Sequence, residues 1–164
     1  QPVLIVQHMP ATFTPLLAEK LQQAIGKPCR EAVHDETLMD GCVLLAPGDQ
    51  HMRVVKTATG AAVQLDRGEP VNSCRPAADP LFDTAAAAYG GRVLGVVLTG
   101  MGYDGRAGAG RIASAGGRVI VQDEASSVVW GMPGSVALAG HAEAVLPLGE
   151  LGQTAVRMMN GEAA

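Results

Sequence analysis

Residues 96–108, VVLTGMGYDGRAG, decide how the chain is read. A valine-rich apolar run ends in three glycines, Gly100, Gly102 and Gly105, and a small-residue segment able to form a helix follows. The spacing is G-x-G-x-x-G, by which dinucleotide-binding folds turn from a strand into a helix beneath a pyrophosphate. The next apolar run, RVIVQDE, brings Asp123 near the place where such folds carry a ribose-binding acid. The same glycines also suit a plain strand-to-helix turn, with Asp104 between them either capping the helix or carrying chemistry.

Three features weigh against the nucleotide reading. Asp104 would set a carboxylate against the pyrophosphate and repel it. The fingerprint normally opens a βαβαβ unit, whereas here only about a third of the chain follows it. Asp123 is trailed by Glu124, an acidic pair common in ordinary loops after strands.

Outward from this stretch, strands and helices alternate. PVLIVQ (2–7) reads as a strand buried on both faces. Thr14-Pro15 supplies an N-cap and a first helical position for a helix to Ile25, before Gly26 and Pro28. CVLLAPG, HMRVVK and AAVQLD follow as short strands, the last two hairpin-like, and EPVNSCRPAAD reads as loop. Asp79-Pro80 starts another helix; beyond it come RVLGVVLT, GRAGAGRIASAG, GRVIVQ, SVALAG, AEAVLPL and ELGQTAVRMMN, strand and helix in turn. The expected fold is α/β: a doubly wound, mainly parallel sheet flanked by helices with a small antiparallel edge, in one domain over 1–164.

The 164 residues are 48% hydrophobic, enough for one core. A net charge of −4 with no basic run argues against nucleic acid, and no apolar stretch approaches the ~20 residues of a membrane span. Cys29, Cys42 and Cys74 lack metal-site or disulfide spacing and fit buried, reduced thiols of a cytoplasmic protein. The four histidines are scattered, so no metal site is expected. Gln1 begins almost directly on a strand, which suggests an N-terminally truncated chain.

His8 follows VLIVQ as Asp104 follows VLGVVLT. Residues at the carboxyl ends of parallel strands can converge on one rim, and imidazole with carboxylate makes the base and orienter of a hydrolytic triad. Taken singly, His8 reads first as a surface histidine and Asp104 first as a helix cap. No serine sits in a nucleophile turn; Ser126 and Ser127 are the least poor candidates, and their surroundings look like a helix start.

The motifs IVQHMPATFTPLLAEKL, LLAPGDQHM, PVNSCRPAADPLF, GVVLTGMGYDG and VQDEASSVVWGMPGSVALAG, in this order over nearly the whole chain, resemble the catalytic domain of the chemotaxis protein-glutamate methylesterases, the CheB family. The resemblance implies a Ser-His-Asp hydrolase acting on glutamate methyl esters and certain glutamines of chemoreceptors. His8 then matches the catalytic histidine, Asp104 the catalytic aspartate, and Met101 the residue whose backbone N–H meets the oxyanion. No cofactor is implied. The implied partners are methylated chemoreceptor helices and a response-regulator receiver domain. The family's serine belongs to a G-A-S-T-G-G turn that this chain lacks, expected roughly 30 residues before Gln1, so the chain alone is expected to be inactive. Ala77 stands where the family usually has serine. The alternatives are a non-catalytic homologue that binds chemoreceptor or receiver domain, and the nucleotide-binding domain already weighed.

Overall fold

The computed structural model describes residues 1–164, which form two compact units, Gln1–Thr84 and Ala85–Ala164. In the first, β1 (Val3–Ile5), β3 (Val43–Leu45) and β2 (Cys29–Glu31) make a parallel sheet in the order β1-β3-β2. Helix α1 (Thr14–Ile25) packs on β2 and β3. An antiparallel hairpin, β4 (His51–Thr57) and β5 (Gly60–Asp66), forms a two-stranded sheet of its own. Helix α2 (Ala78–Tyr89) begins in this unit, where the Thr84 hydroxyl accepts the Val54 N–H at 3.0 Å.

The second unit holds the parallel sheet β6 (Leu94–Val97), β7 (Arg118–Gln122) and β8 (Ala144–Leu146), in that order. Helices α3 (Arg106–Ser114), α4 (Gly131–Leu138) and α5 (Leu148–Met159) all pack on β7. The class is the expected one: mainly parallel sheets with helices and a small antiparallel sheet. No helix is long and apolar enough to cross a membrane.

Both cores are aliphatic. In the first unit Ala18, Cys29 and Leu45 are buried, with Ile5, Leu17, Leu21 and Val43 against them. In the second, Leu151 and Met158 of α5 cover Ile120, and Ala155 fills the turn between them. The 151/155/158 spacing is one helix face, so α5 docks by its apolar stripe.

Local expectations met tertiary ones at several points. Helix α1 runs from 14 to 25 and ends on Gly26 at φ 65°, the left-handed cap glycine provides cheaply. Thr14, however, is its first residue rather than its cap: the cap position is Phe13, which makes no side-chain cap bond. The Thr14 hydroxyl instead donates to Glu31 (2.6 Å) and accepts the N–H of Gly48 (3.0 Å), joining the helix start to β2 and to the turn after β3. Strand β1 is shorter than 2–7 and lies at the edge of its sheet, so its side chains are half-buried and Val3 is exposed, not buried on both faces. Strand β2, Cys-Arg-Glu, was not foreseen because it has no apolar period. Side chains brace it: Gln22 accepts the Cys29 N–H, Arg30 reaches the Glu31 carbonyl, and Glu36 accepts from the Arg30 guanidinium and from the Val33 N–H just past the strand. Such charged cover blunts an edge strand. Of the three free thiols only Cys29 is buried, which raises its pKa; Cys42 and Cys74 are half-buried.

Gly48 shows how tightly the turns pack. A Cβ there would fall 2.2 Å from the backbone nitrogen of Ala11, and backbone cannot swing aside as a side chain can. Gly152, inside α5, faces open space. Gly48→Ala is therefore expected to lower stability by at least ~1–3 kcal/mol, while Gly152→Ala should raise it by about 0.5–1 kcal/mol; paired urea titrations test both signs. Arg118 grips Glu143 with two hydrogen bonds, 2.8 and 2.6 Å, and these hold the Glu143 carboxyl below its usual range against a smaller opposing effect of burial. A carboxyl lowered on folding contributes stability above its unfolded pKa and loses it as pH falls through the folded one. The melting temperature of Glu143→Gln should accordingly fall less steeply than the parent's below about pH 4.

Candidate functional site

His8 lies just beyond β1, at the centre of a tight turn in which the Met9 N–H donates to the Gln7 carbonyl at 2.8 Å. A second turn follows, Phe13 N–H to Pro10 carbonyl at 2.9 Å, and it leads into α1. The close approach of Gly48 to Ala11 fixes this segment against the end of β3. His8 is half-buried and lines a cavity of about 430 Å³ with Met9, Asp49, Ser73, Cys74 and Arg75.

The opposite wall of that cavity is the segment read as plain loop. Val71 and Cys74 exchange backbone hydrogen bonds (3.0 and 2.9 Å) across Asn72 and Ser73, both at positive φ, 52° and 64°. This is a two-residue hairpin turn with both central residues left-handed, a conformation asparagine tolerates well. The Asn72 amide donates to Asp79 at the start of α2 (2.8 Å). Arg75 fixes the far end: Nε and Nη2 donate to Oδ1 of Asp49 at 2.9 and 2.5 Å, and Nη1 to the carbonyls of Arg67 (3.3 Å) and Gly68 (2.8 Å). The hydrogen bond and charge of Arg75 hold the Asp49 carboxyl below its usual range. Beneath, His51 is fully buried, with Nε2 3.0 Å from the Glu69 carbonyl and Nδ1 accepting the Ala77 N–H at 3.3 Å. That pattern suits a neutral ring with its proton on Nε2, so His51 is a strut of the loop.

In the second unit, the stretch Leu98–Gly105 leaves β6 and enters α3. Its backbone is tied to the 129–132 segment: Gly100 N–H donates to Val129 C=O (3.0 Å), and Met132 N–H to Gly100 C=O (2.8 Å). The Thr99 hydroxyl bonds both backbone groups of Val129, and Gln122 accepts the Thr99 N–H. The two segments are so close that a Cβ on Gly131 would come within 2.8–3.0 Å of backbone atoms of Gly100 and Gly102. Gly102 and Gly105 both take φ +87°, which accounts for two of the three motif glycines. Met101 is 80% exposed, whereas Asp104 is 2% exposed. The cap position of α3 is Gly105, the residue after Asp104.

The dinucleotide reading loses its parts here. Two of the amides in the glycine turn, Thr99 and Gly100, are already bonded within the protein. The Asp123 carboxylate accepts the N–H and hydroxyl of Ser126 (3.0 and 2.5 Å), an Asx-type turn that closes its own loop. Ser126 Oγ also accepts the Leu148 N–H at 3.0 Å, and the Ser127 hydroxyl donates to the Asp123 carbonyl at 2.6 Å. Both serines thus hold the loop together. Ser73, a serine of the chain that sits in no nucleophile turn, is the one that shares a cavity with His8. Asp49 and Arg75 were missed, because residues 26 apart in a chain show no pairing pattern. No three His, Cys, Asp or Glu side chains stand together as metal ligands would.

Comparison with known proteins agrees with the motifs. Residues 1–155 match the CheB methylesterase family. A protein-glutamate methylesterase/protein-glutamine glutaminase of Rhodopseudomonas palustris is 54% identical over 161 residues, 98% of this chain and 41% of its own length. A protein of the same description from Caulobacter vibrioides is 56% identical over 152 residues, 92% of this chain and 44% of its own. The chain thus spans about two fifths of the length of the curated relatives it matches. The crystal structure of the Thermotoga maritima CheB methylesterase catalytic domain superposes with a TM-score of 0.93 at 38% identity, over 96% of this chain and 83% of that one. On these matches, which extend over almost all of its residues, the chain belongs to the CheB methylesterase family.

Proposed function

We propose that this chain supplies the base, the orienting carboxylate and an oxyanion donor of a hydrolase that removes methyl esters from chemoreceptor glutamates and deamidates chemoreceptor glutamines. The attacking serine comes from residues outside these 164. The serine oxygen adds to the side-chain carbonyl carbon while His8 accepts its proton. The Met101 N–H donates to the carbonyl oxygen as it takes up charge. The intermediate collapses, His8 returns the proton to the leaving group, and methanol or ammonia departs from an acyl-enzyme. Water then attacks with His8 again as base, releasing glutamate and the free serine. Asp104 keeps the imidazole in the useful tautomer and stabilises its charged form without itself taking the proton.

One observation carries this reading. Asp104 is a buried carboxylate just beyond a parallel strand, in the turn where one family motif lies, and the helix behind it takes its cap position from Gly105. His8 supports the reading from its cavity, and the descriptions of the relatives supply the substrate class. A receiver domain as regulatory partner belongs to the same proposal; the greater length of the relatives leaves room for one.

In a full-length protein containing this chain, Asp104→Asn should lower methyl-ester turnover by about 10³–10⁴ with the melting temperature little changed. Turnover equal to the parent's would remove Asp104 from the chemistry. The 164 residues alone should release no methanol above background from a methylated chemoreceptor. Robust release would mean that a serine within the chain attacks, and Ser73, beside His8, is the first to replace.

A further inference from the structure

We infer that Asp49 is a charge shield: by neutralising Arg75 in the wall of the His8 cavity, it lets that cavity accept an uncharged ester or amide side chain and release the charged product. The inference rests on the esterase reading and adds what that reading leaves open, how substrate and product are told apart.

The three side chains concerned, glutamyl methyl ester, glutamine and glutamate, differ little in shape. They differ in charge, since a free glutamate carboxyl is ionised at neutral pH. An arginine beside the catalytic base would ordinarily grip that product, because its planar fork matches a carboxylate with two parallel hydrogen bonds. Here the fork is turned onto the protein. Nε and Nη2 share one oxygen of Asp49, and Nη1 is taken by the carbonyls of Arg67 and Gly68. The Asp49 N–H donates in return to the Arg75 carbonyl at 3.2 Å, so backbone and side chain hold the pair in register. Arg67 approaches the other Asp49 oxygen only at 4.0 Å and stands largely in solvent. The Ser73 hydroxyl on this side of the cavity carries no charge. Asp49 and Arg75 are the one carboxylate and the one guanidinium of the lining, and they cancel.

A cavity so balanced has no cation free to hold an anion. Hydrolysis turns a neutral occupant into a charged one, and the charged one is the weaker ligand. Removing the shield would leave a guanidinium facing the cavity, and the product would then become the better ligand.

The test is calorimetric titration of the 164-residue chain with three helical peptides differing at one position: glutamine, glutamate methyl ester or glutamate. The parent should bind the first two several-fold more tightly than the third. Asp49→Asn should tighten the glutamate peptide about three- to tenfold while changing the others by less than about twofold, and the gain should shrink at about 0.5 M salt. Because Asp49→Asn also loosens the loop, Ser73→Lys serves as a second variant. It adds a cation at the exposed turn tip with the Asp49–Arg75 pair intact, and should tighten glutamate in the same direction. The shield is refuted if the parent binds glutamate as well as glutamine, if neither variant changes the ratio, or if none of the peptides binds. Methyl-ester turnover by full-length protein, measured in parallel, separates the two ideas: turnover with unchanged charge preference sinks the shield alone, and no turnover of any glutamyl ester sinks the esterase reading.

Discussion

The architecture depends on backbone packed directly against backbone where parallel strands end. Gly48 presses on Ala11 after β3, and Gly131 presses on Gly100 and Gly102 after β6; neither place has room for a Cβ. Contacts this close let turns exchange hydrogen bonds as if they were strands, and loops so tied become rigid scaffolding. His8 in one unit and the Met101–Asp104 turn in the other each owe their position to such a contact. A side chain at either glycine would move the neighbouring turn before it disturbed the sheet.

The same packing explains why several residues that look reactive in the sequence are struts. Thr14, His51, Asp123 and Ser126 spend their polar atoms on backbone groups of neighbouring segments. A small aliphatic core gives little leverage on long loops, and buried backbone groups left unmet would each cost roughly 1–3 kcal/mol. Side chains that meet them stabilise the turns and are then no longer available for catalysis. Asp104 is buried just outside the cap position of α3, and His8 opens on a cavity. The Asp49–Arg75 pair lies in one wall of the cavity beside His8.

Much of this was legible in the chain. Pro15 and Gly26 bracket α1, the alternation HMRVVK…AAVQLD gives the hairpin, and the valine-rich runs give β6 and β7, because strand period, proline φ and glycine's left-handed conformation are properties of a few adjacent residues. The motifs carrying the family resemblance are equally local, and the family is the one they indicated. Other features resisted reading for the opposite reason. Thr14 looked like a cap because its real partners, Glu31 and Gly48, are 17 and 34 residues away. Strand β2 has no apolar period and exists because β3 offers it a ladder.

The sequence by itself determined the order and kind of every element but β2, the glycine turns and the family, since each is written in residues that touch along the chain. Tertiary structure alone decided which polar side chains are consumed as struts, that β1 lies at a sheet edge, and that Asp49 meets Arg75 across the wall of the His8 cavity. Those outcomes depend on hydrogen bonds between distant segments, and such bonds acquire definite partners only once the turns have packed.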